Sequence, residues 1–359
     1  MTPYRILVVD DSAFMRKLVS DMIKSDERFT VIGTASNGRE AVDAVKRLRP
    51  DALTMDVEMP VMSGLEALSI IMQEVPTPTV MLSSATFDGA DAAIRSLELG
   101  AFDFVAKPSG PISMDVYNVK ESLISTLMAA VERSNAKVAN RLAMLPVERS
   151  GIVPAAKPPP VKKVKRLVAI GTSTGGPRAL QQVLTQLPGN FPAPVLIVQH
   201  MPPGFTRSLA ARLDSLCEIQ VTEAAEGMAL KPGVAYIAPG GYHMTLRKVA
   251  GAYKLHLSNE EPPVHGHRPS VDVLFQSLAD FPELDRTVAL LTGMGSDGAK
   301  GMKLLYDQGV RRTIAESESS CIVYGMPRSA VELGCVRSCI PLQEIAEQIM
   351  RDVAENGEV

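Results

Sequence analysis

The alternation of short apolar runs with amphipathic stretches restricts this chain of 359 residues to the α/β folds. Over the first 107 residues the apolar runs have strand length, and the stretches between them repeat apolar residues at helical spacing. The strand-like runs, in chain order, are RILVVD, FTVIGTA, DALTMD, TVMLSSA and DFVAKP. These alternations predict a parallel sheet with helices on both faces, followed by a last helix from about Ile112 to Val138.

The same alternation restarts at Leu167 and predicts a second α/β unit. Its strand-like runs are RLVAIG, APVLIVQH, TVALLTG and RTIAES. A small antiparallel excursion is expected at about 234–258. The stretch PVERSGIVPAAKPPPVKKVKR before Leu167 has the proline and charge content of an extended linker. The sequence therefore predicts two doubly wound parallel-sheet domains, at 1–135 and 167–355, joined by a linker at 136–166.

The distribution of apolar residues is typical of a protein that stays in solution. No apolar run approaches the roughly 18 residues of a membrane span, and the N-terminus reaches acidic residues too early for a signal peptide. We therefore expect a cytoplasmic protein with no direct membrane insertion. The four cysteines form no C-x-x-C pair, which favours buried thiols in a reducing compartment over disulfides or zinc ligands; they are Cys217, Cys321, Cys335 and Cys339.

The stretch from Arg149 to Leu213 contains nine basic residues and no acidic one. A positive field of this kind beside a cleft would favour an acidic partner, but a solvated basic linker explains the charge equally well. Nucleic acid is not the expected partner, because aromatic residues make up only 4% of the chain and there is no tryptophan to stack on bases.

Functional side chains of open α/β sheets collect beyond the carboxyl ends of the strands. The N-terminal unit places three carboxylates, a hydroxyl and an ammonium group at such ends: Asp10, Asp11, Asp56, Ser83 and Lys107. Carboxylates that converge at one edge repel each other unless a hard cation such as Mg²⁺ lies among them. A single strand-end aspartate often only caps a helix, but the five residues together predict a magnesium site.

The segment LVAIGTSTGGPRAL contains the pattern G-x-S-x-G at Gly171, Ser173 and Gly175. It lacks both the lysine and the glycine spacing of the common phosphate-binding loops. A strand precedes it, and a helix begins near Pro177, which is the context of a nucleophile elbow. The pattern also arises by chance, so Ser173 is a candidate nucleophile whose partners must be found.

A serine nucleophile needs a general base, and the chain has five histidines. His200 ends the strand-like run PVLIVQH, which places it at the same sheet edge as Ser173 and one strand away. His243 is expected in a turn and His256 within a strand, so neither of them has that placement. His200 is therefore the candidate base.

The remaining histidines, His265 and His267, lie in the segment HGHRPS. This segment is open to two interpretations. It could form an H-x-H metal site with nearby glutamates, or it could be a loop leading to a helix capped by Ser270, and its loose spacing favours the loop.

An acid that orients the histidine should follow a third strand. The segment TVALLTGMGSDGAKGM supplies Asp297 there, in a glycine-rich loop. Taken alone, Asp297 could equally cap the helix that begins at Gly298. Serine, histidine and aspartate at three strand ends predict an acyl-transfer triad, in a chain order that differs from those of the α/β-hydrolases, chymotrypsin and subtilisin.

The N-terminal residues resemble a two-component receiver domain, which implies a flavodoxin-like fold. The resemblance implies that Asp56 is the phosphoacceptor, that Asp10 and Asp11 bind metal with it, and that Ser83 and Lys107 contact the phosphoryl group. Phe104 stands where many relatives have the switching aromatic residue, often tyrosine, and it lacks that hydroxyl.

The C-terminal unit is similar to the catalytic domain of the chemotaxis protein-glutamate methylesterases, the CheB family. Five motifs in order carry this resemblance: IGTSTGGPRAL, VQHMPPGFT, APGGYHM, HRPSVDVLF and LTGMGSDGAKGM. The resemblance implies a Rossmann-like domain in which Ser173, His200 and Asp297 form the triad. It also implies that Thr174 helps to position the histidine and that the Met294 backbone N–H serves the oxyanion.

The family resemblance implies hydrolysis of glutamate methyl esters on chemoreceptors in bacterial chemotaxis, with deamidation of receptor glutamines as a second activity. The implied partners are the cytoplasmic helices of methylated chemoreceptors and a chemotaxis histidine kinase as phosphodonor, and a monomer is expected. Mg²⁺ is implied for receiver phosphorylation, and no cofactor for the esterase chemistry. The resemblance further implies that the unphosphorylated receiver restrains the catalytic unit. One alternative is a response regulator whose C-terminal domain is only a partner- or phospholigand-binding module.

Overall fold

The structure, a computed structural model, describes residues 2–84, 86–108, 115–139 and 164–354. The chain divides into two compact units, Met1–Arg149 and Ser150–Val359. Most of the predicted linker, 136–166, lies outside the described residues, and so does residue 355. The predicted domain boundaries therefore stay predictions.

The N-terminal unit is a five-stranded parallel sheet with strand order β2-β1-β3-β4-β5. Its strands are Tyr4–Val9 (β1), Phe29–Ala35 (β2), Ala52–Asp56 (β3), Thr79–Ser83 (β4) and Asp103–Ala106 (β5). Its helices are Ala13–Lys24 (α1), Gly38–Leu48 (α2), Gly64–Glu74 (α3), Phe87–Glu98 (α4) and Asp115–Ala139 (α5). The last helix was predicted from about Ile112, a position outside the described residues.

Buried side chains of alternating direction hold helices on both faces of this sheet. Along β1, Ile6 and Val8 join the core that includes α1 and α5, while Leu7 and Val9 join the core that includes α2 and α3. This two-sided burial is the reason that the strand reads as a continuous apolar run. Side-chain caps begin the first four helices; they are Ser12, Asn37, Ser63 and Thr86.

The C-terminal unit is a seven-stranded sheet in the order β14-β13-β12-β6-β7-β9-β8, with a separate two-stranded sheet, β10-β11. Its strands are Arg166–Thr172 (β6), Val195–Gln199 (β7), Gln220–Glu223 (β8), Val234–Ile237 (β9), His243–Val249 (β10), Ala252–Ser258 (β11), Asp285–Leu290 (β12), Arg312–Glu316 (β13) and Ser338–Ile340 (β14). Its helices are Gly176–Leu184 (α6), Phe205–Asp214 (α7), Val271–Ser277 (α8), Ala299–Asp307 (α9), Met326–Glu332 (α10) and Leu342–Ala354 (α11). All strand pairs of the large sheet are parallel, so the predicted class of two doubly wound α/β domains is confirmed.

The antiparallel excursion is smaller than predicted. Only β10 and β11 form it, joined by Ala250 and Gly251, whose φ angles of 51° and 81° are those of a tight hairpin turn. The segment Val234–Ile237 pairs with parallel neighbours on both sides and is buried throughout. Its short apolar run is the signature of a central parallel strand, which the prediction did not separate from the hairpin.

The cysteines are free thiols, as the sequence predicted, but they are not all buried. Cys321 and Cys335 are buried, Cys217 is half-buried and Cys339 is exposed. Cys339 lies on β14, the edge strand of the sheet, where alternate side chains face solvent. Among the described residues, every helix is too short or too polar to span a bilayer.

Candidate active site

Three adjacent strands of the large sheet bring the predicted triad residues to one edge. Strands β12, β6 and β7 are consecutive neighbours, and all run in the same direction. Ser173 follows β6 directly, His200 follows β7 directly, and Asp297 lies in the loop between β12 and α9. Parallel pairing therefore places the three side chains beyond the same carboxyl edge, as the sequence predicted.

The turn that carries Ser173 has the strand–turn–helix form expected of a nucleophile elbow. Gly175 adopts φ = 78°, a left-handed conformation that favours glycine. A Cβ on Gly171 would lie 2.2 Å from Val271 Cγ1, so only glycine lets the strand pack this closely against α8. Both glycines of the pattern thus have a structural requirement at the turn.

The imidazole of His200 is oriented by Asp297. His200 Nε2 lies 2.8 Å from Asp297 Oδ2, and both side chains are almost fully buried. Because a carboxylate only accepts hydrogen bonds, Nε2 carries the proton in the neutral imidazole and Nδ1 has the free lone pair. Nδ1 is buried and has no hydrogen-bond partner among the described residues. It is the ring nitrogen available to take a proton, and the bond it would make to a serine commonly tightens only when substrate is present.

The N-terminus of α8 holds the Asp297 carboxylate. Its oxygens accept hydrogen bonds from Ser270 Oγ at 2.8 Å, from Val271 N at 2.7 Å and from Asp272 N at 3.0 Å. Burial opposes the charged form, but the bond from His200 and these backbone donors outweigh it and lower the pKa of Asp297 to about 2. Asp297 precedes α9 in the chain, but the helix whose N-terminus donates hydrogen bonds to its carboxylate is α8.

Thr292 ties the serine turn to the glycine-rich loop after β12. Its carbonyl accepts hydrogen bonds from Ser173 N and from Thr172 Oγ1, both at 3.0 Å. Its hydroxyl donates to the Thr174 carbonyl at 2.9 Å, and its own N–H donates to Glu316 Oε2 at 2.8 Å. The fully buried Glu316, at the end of β13, thereby anchors the loop that contains Met294.

The loop after β12 passes directly beside the serine. A Cβ on Gly293 would lie 2.9 Å from Ser173 Cβ and 2.3 Å from Met326 Sδ, so the backbone approaches the serine closely here. Within the described parts of the chain, the Met294 N–H donates no hydrogen bond. A free N–H on this loop is suited to an oxyanion, although the role of Met294 stays a prediction.

The role of Thr174 also stays a prediction. Its described contact is through the backbone carbonyl, to Thr292, and the described residues show no bond from its hydroxyl to His200. Gln199, which the sequence analysis did not single out, does connect the two turns. Its Nε2 donates to the carbonyls of Ser173 at 3.0 Å and of His200 at 3.1 Å.

The segment HGHRPS forms a loop leading to α8, and Ser270 caps that helix by accepting from Val273 N. The H-x-H metal interpretation has no support, because the described residues contain one cluster of metal-ligand type and it lies in the other unit. His267 instead stacks on His200, with ring centroids 3.8 Å apart and planes 8° apart. The three remaining histidines have other contacts: His243 Nε2 lies near the Pro262 carbonyl, His256 pairs with Glu226, and His265 lies 3.6 Å from Asp272.

The N-terminal unit contains the predicted acid cluster. Asp10, Asp11 and Asp56 each offer a carboxylate oxygen, and these oxygens lie within 4.8 Å of one another. The Lys107 ammonium forms ion pairs with Asp10 at 2.8 Å and with Asp56 at 2.6 Å. Three oxygen donors at this spacing fit a hard divalent cation such as Mg²⁺.

Burial and charge shift the proton affinities of this cluster. Burial raises the pKa of Asp56 to about 6, with the Asp10 charge adding to the effect and Lys107 opposing it. Burial works against the Lys107 ammonium, but its bonds to Asp10 and Asp56 outweigh this and raise the pKa of Lys107. The carboxylates and the ammonium are therefore interdependent, as in a site built for a charged ligand.

The two other predicted switch residues lie on neighbouring strands. Ser83, at the end of β4, is buried, and its hydroxyl donates to the Gly89 carbonyl at 2.6 Å. Phe104 is half-buried on β5, which pairs with β4. Both lie in the unit that contains Asp56, and their switching roles stay predictions.

Comparison with known proteins decides the family. Residues 168–349 match the family model for the CheB methylesterase, and residues 6–115 match that of the response regulator receiver domain. The chain belongs to the CheB methylesterase family. A relative from Geobacillus kaustophilus, named protein-glutamate methylesterase/protein-glutamine glutaminase, is 50% identical over 355 residues, which is 99% of this chain and 100% of the relative. A relative of the same name from Bacillus subtilis is 45% identical over 347 residues, 96% of this chain and 97% of the relative.

A solved structure agrees with this membership. The crystal structure of the CheB methylesterase catalytic domain from Thermotoga maritima is 42% identical, with a TM-score of 0.50. It covers 52% of this chain and 97% of that domain. The fold of the C-terminal unit is therefore that of a CheB catalytic domain.

Proposed function

We propose that this chain hydrolyses the methyl esters of glutamate side chains on chemoreceptors, releasing methanol, under the control of phosphorylation at Asp56. One observation carries the proposal: the Nε2 atom of His200 is bonded to a buried, ionised Asp297, while its Nδ1 faces no partner among the described residues. This arrangement serves proton transfer from a serine. Relatives that share nearly the full length are named for this activity and for glutamine deamidation.

The ester reaction follows from the roles of the three side chains. His200 Nδ1 takes the Ser173 hydroxyl proton while Oγ attacks the ester carbonyl carbon, and the Met294 N–H stabilises the oxyanion. The imidazolium then gives its proton to the departing methoxide, which leaves as methanol. Water attacks the acyl-serine and loses a proton to His200, which returns that proton to Ser173 Oγ as the acyl–oxygen bond breaks and the glutamate side chain is released. A glutamine amide would react in the same way, with ammonia as the leaving group.

The N-terminal unit supplies the regulation in this proposal. Asp56 accepts a phosphoryl group from a chemotaxis histidine kinase, and Asp10, Asp11 and Asp56 would hold the Mg²⁺ that this transfer uses. The cation, when bound, neutralises negative charge on the phosphoryl oxygens. Lys107, which forms ion pairs with Asp10 and Asp56, contributes a second positive charge beside the phosphoryl group. Ser83 offers a hydroxyl that can bind the phosphorylated product. The esterase chemistry itself uses three side chains, the Met294 backbone N–H and water.

The finer assignments belong to the same proposal. The substrate is the cytoplasmic helical region of methylated chemoreceptors, the protein works in the cytoplasm, and it acts as a monomer. The binding-module alternative finds no observation in its favour, since a module of that kind has no need of an ionised aspartate behind the histidine.

The deciding experiment measures methanol release from methylated receptor membranes by the wild-type protein and by Ser173→Ala, each with and without a phosphodonor and Mg²⁺. We expect Ser173→Ala to lose at least about a thousandfold in rate. Ser215→Ala, a change at an exposed serine of the same unit, is the matched control and should leave the rate unchanged. Equal methanol release by wild type and Ser173→Ala would reject Ser173 as the nucleophile, and release of neither methanol nor ammonia by the wild type would favour the binding module. Ammonia release from glutamine-bearing receptors without methanol release would instead assign a deamidase.

A further inference from the structure

His267 covers one face of the His200 ring. The two imidazoles are nearly parallel, with planes 8° apart and centroids separated by 3.8 Å. The bond from Nε2 to Asp297 holds one point of the His200 ring, but a ring held at one point can still tilt about that contact. A second aromatic surface laid against its face removes this freedom and aims Nδ1 in one direction.

The loop that carries His267 is built to present it. Val264 and His267 exchange two backbone hydrogen bonds, of 3.0 and 2.9 Å, across His265 and Gly266. Both central residues have positive φ, 51° and 80°, which is the geometry of a tight type I′ turn. The Arg268 guanidinium then donates to the carbonyls of Asn259 and Glu261, which ties the loop to the chain that enters it. The N–H and the carbonyl of His267 are therefore both hydrogen-bonded to Val264, which fixes the backbone that carries the ring.

The same short segment also holds Asp297. Three residues after His267 the chain reaches Ser270, and donors at Ser270, Val271 and Asp272 bind the Asp297 carboxylate. One segment thus fixes the acid behind His200 and the surface over its ring. A structural loop would need neither the parallel ring contact nor the donors aimed at this carboxylate.

The charges around His267 favour its neutral form. Burial and the neighbouring His200 lower the pKa of His267 to about 4, with Asp297 opposing this shift and His265 adding to it. His265 also lies 3.6 Å from Asp272, at the start of α8. A neutral ring stacked on His200 can attract the imidazolium that forms when His200 takes the serine proton, whereas a second cation at this distance would repel it.

We propose that His267 is a positioning residue of the esterase, whose stacked ring holds His200 in the orientation that proton transfer from Ser173 requires. This inference rests on the proposed function. It assigns no covalent or proton-transfer step to His267, which acts only through His200.

The test compares His267→Ala, which removes the ring, with His267→Phe, which keeps a flat aromatic surface and cannot be charged. We expect His267→Ala to lower kcat for methanol release about 10- to 100-fold with KM within about twofold of wild type, and His267→Phe to recover kcat to within about threefold. His256→Ala, a change at the histidine that pairs with Glu226 away from the triad, is the control and should behave as wild type. A kcat within twofold of wild type for His267→Ala would overturn the proposal. So would equal losses in the alanine and phenylalanine variants, because a ring surface would then not be what matters.

A second measurement tests the stack itself, and it stays informative if a variant fails to fold or the wild type releases no methanol. Histidine ring resonances of the wild-type full chain, followed by NMR from pH 8 to pH 4, should show His267 neutral until the pH falls below about 5. Its ring should also shift the resonances of His200 through the stacked contact. A His267 that titrates near its ordinary value of 6.5 and leaves His200 unshifted would contradict the stack. Absence of methanol release by wild type would count against the proposed function alone.

Discussion

Asp297 shows at the scale of one residue how neighbours determine a role. The carboxylate is 1% exposed and accepts hydrogen bonds from His200, from Ser270 and from two backbone N–H groups. A strand-end aspartate in a glycine-rich loop is easily predicted, but its sequence alone does not distinguish a helix cap from a triad acid. The distinction lies in donors that are 25 to 97 positions away along the chain.

Replacing Asp297 by asparagine should lower kcat for methanol release about a thousandfold with little change in KM. The amide offers one acceptor oxygen where the carboxylate offers two, and it cannot balance the imidazolium of His200. Steady-state kinetics on methylated receptor membranes would measure the change. Asp280→Asn, at an exposed aspartate of the same unit, is the control, and similar losses in both variants would contradict the assignment.

The pKa of Asp297 also predicts a pH dependence of stability. Its value of about 2 in the folded state lies below the ordinary 3.8, so the ionised form stabilises the native state. That contribution is fully present above about pH 4 and is lost as the pH falls through about 2, and it amounts to about 2 kcal/mol. Hydrogen exchange of amides in β6 and β12 would report it for the C-terminal unit. Wild type should lose about 2 kcal/mol more than Asp297→Asn between pH 4 and pH 2, and parallel losses would refute the linkage.

At the scale of elements, the end of β13 supports the loop after β12. Both Glu316 oxygens accept hydrogen bonds: Oε2 from Thr292 N and Oε1 from Ser320 Oγ. The Thr292 carbonyl accepts a hydrogen bond from Ser173 N. The position of the Ser173 turn therefore depends on the loop after β12, and that loop depends on the end of β13. The sequence predicted β12 and β13 as strands, yet it did not reveal that a buried glutamate at the end of one would anchor the other.

Glu316→Gln tests this support. An amide has one acceptor oxygen and cannot receive both bonds, so we expect a loss of about 1–3 kcal/mol in stability and a fall of about tenfold in kcat. Thermal unfolding and methanol release would measure the two effects. Glu318→Gln, two residues further along and exposed, is the matched control. An unchanged kcat in Glu316→Gln would show that the loop does not depend on this anchor.

At the scale of the whole molecule, two units with separate chemistry share one chain. The acid cluster lies in Met1–Arg149 and the triad in Ser150–Val359. A receiver is a switch whose effect must be expressed elsewhere, and the family membership of both units supports a regulated enzyme. The proposed phosphorylation of Asp56 would add a dianion, which can bias a conformational equilibrium by a few kcal/mol.

Asp56→Asn should remove the response of methanol release to a phosphodonor and Mg²⁺ while leaving the unstimulated rate near that of wild type. Under the proposed function, this change removes the phosphoacceptor and leaves Ser173, His200 and Asp297 untouched. Asp43→Asn, at an exposed aspartate of α2, is the control and should keep the response. Stimulation that persists in Asp56→Asn would assign the phosphorylation to another residue.

Removing residues 1–140 should raise the unstimulated esterase rate, because the family resemblance implies that the unphosphorylated receiver restrains the catalytic unit. Methanol release by the shortened chain and by the full chain would be compared at equal concentration. A rate that is unchanged or lower would rule out this form of inhibition.

The sequence by itself determined the fold class, the strand ends and the residue types at them, because apolar periodicity and strand-to-helix turns are local properties of the chain. That reasoning placed Asp10, Asp56, Ser173, His200 and Asp297 at or beyond strand ends, where the structure has them, and their functional roles stay predictions. Only the tertiary structure decided which groups meet: the stack of His267 on His200, the donors of α8 on Asp297 and the anchor of Thr292 on Glu316. These contacts join residues far apart in sequence, and their existence depends on strand order and side-chain packing, which no local pattern encodes.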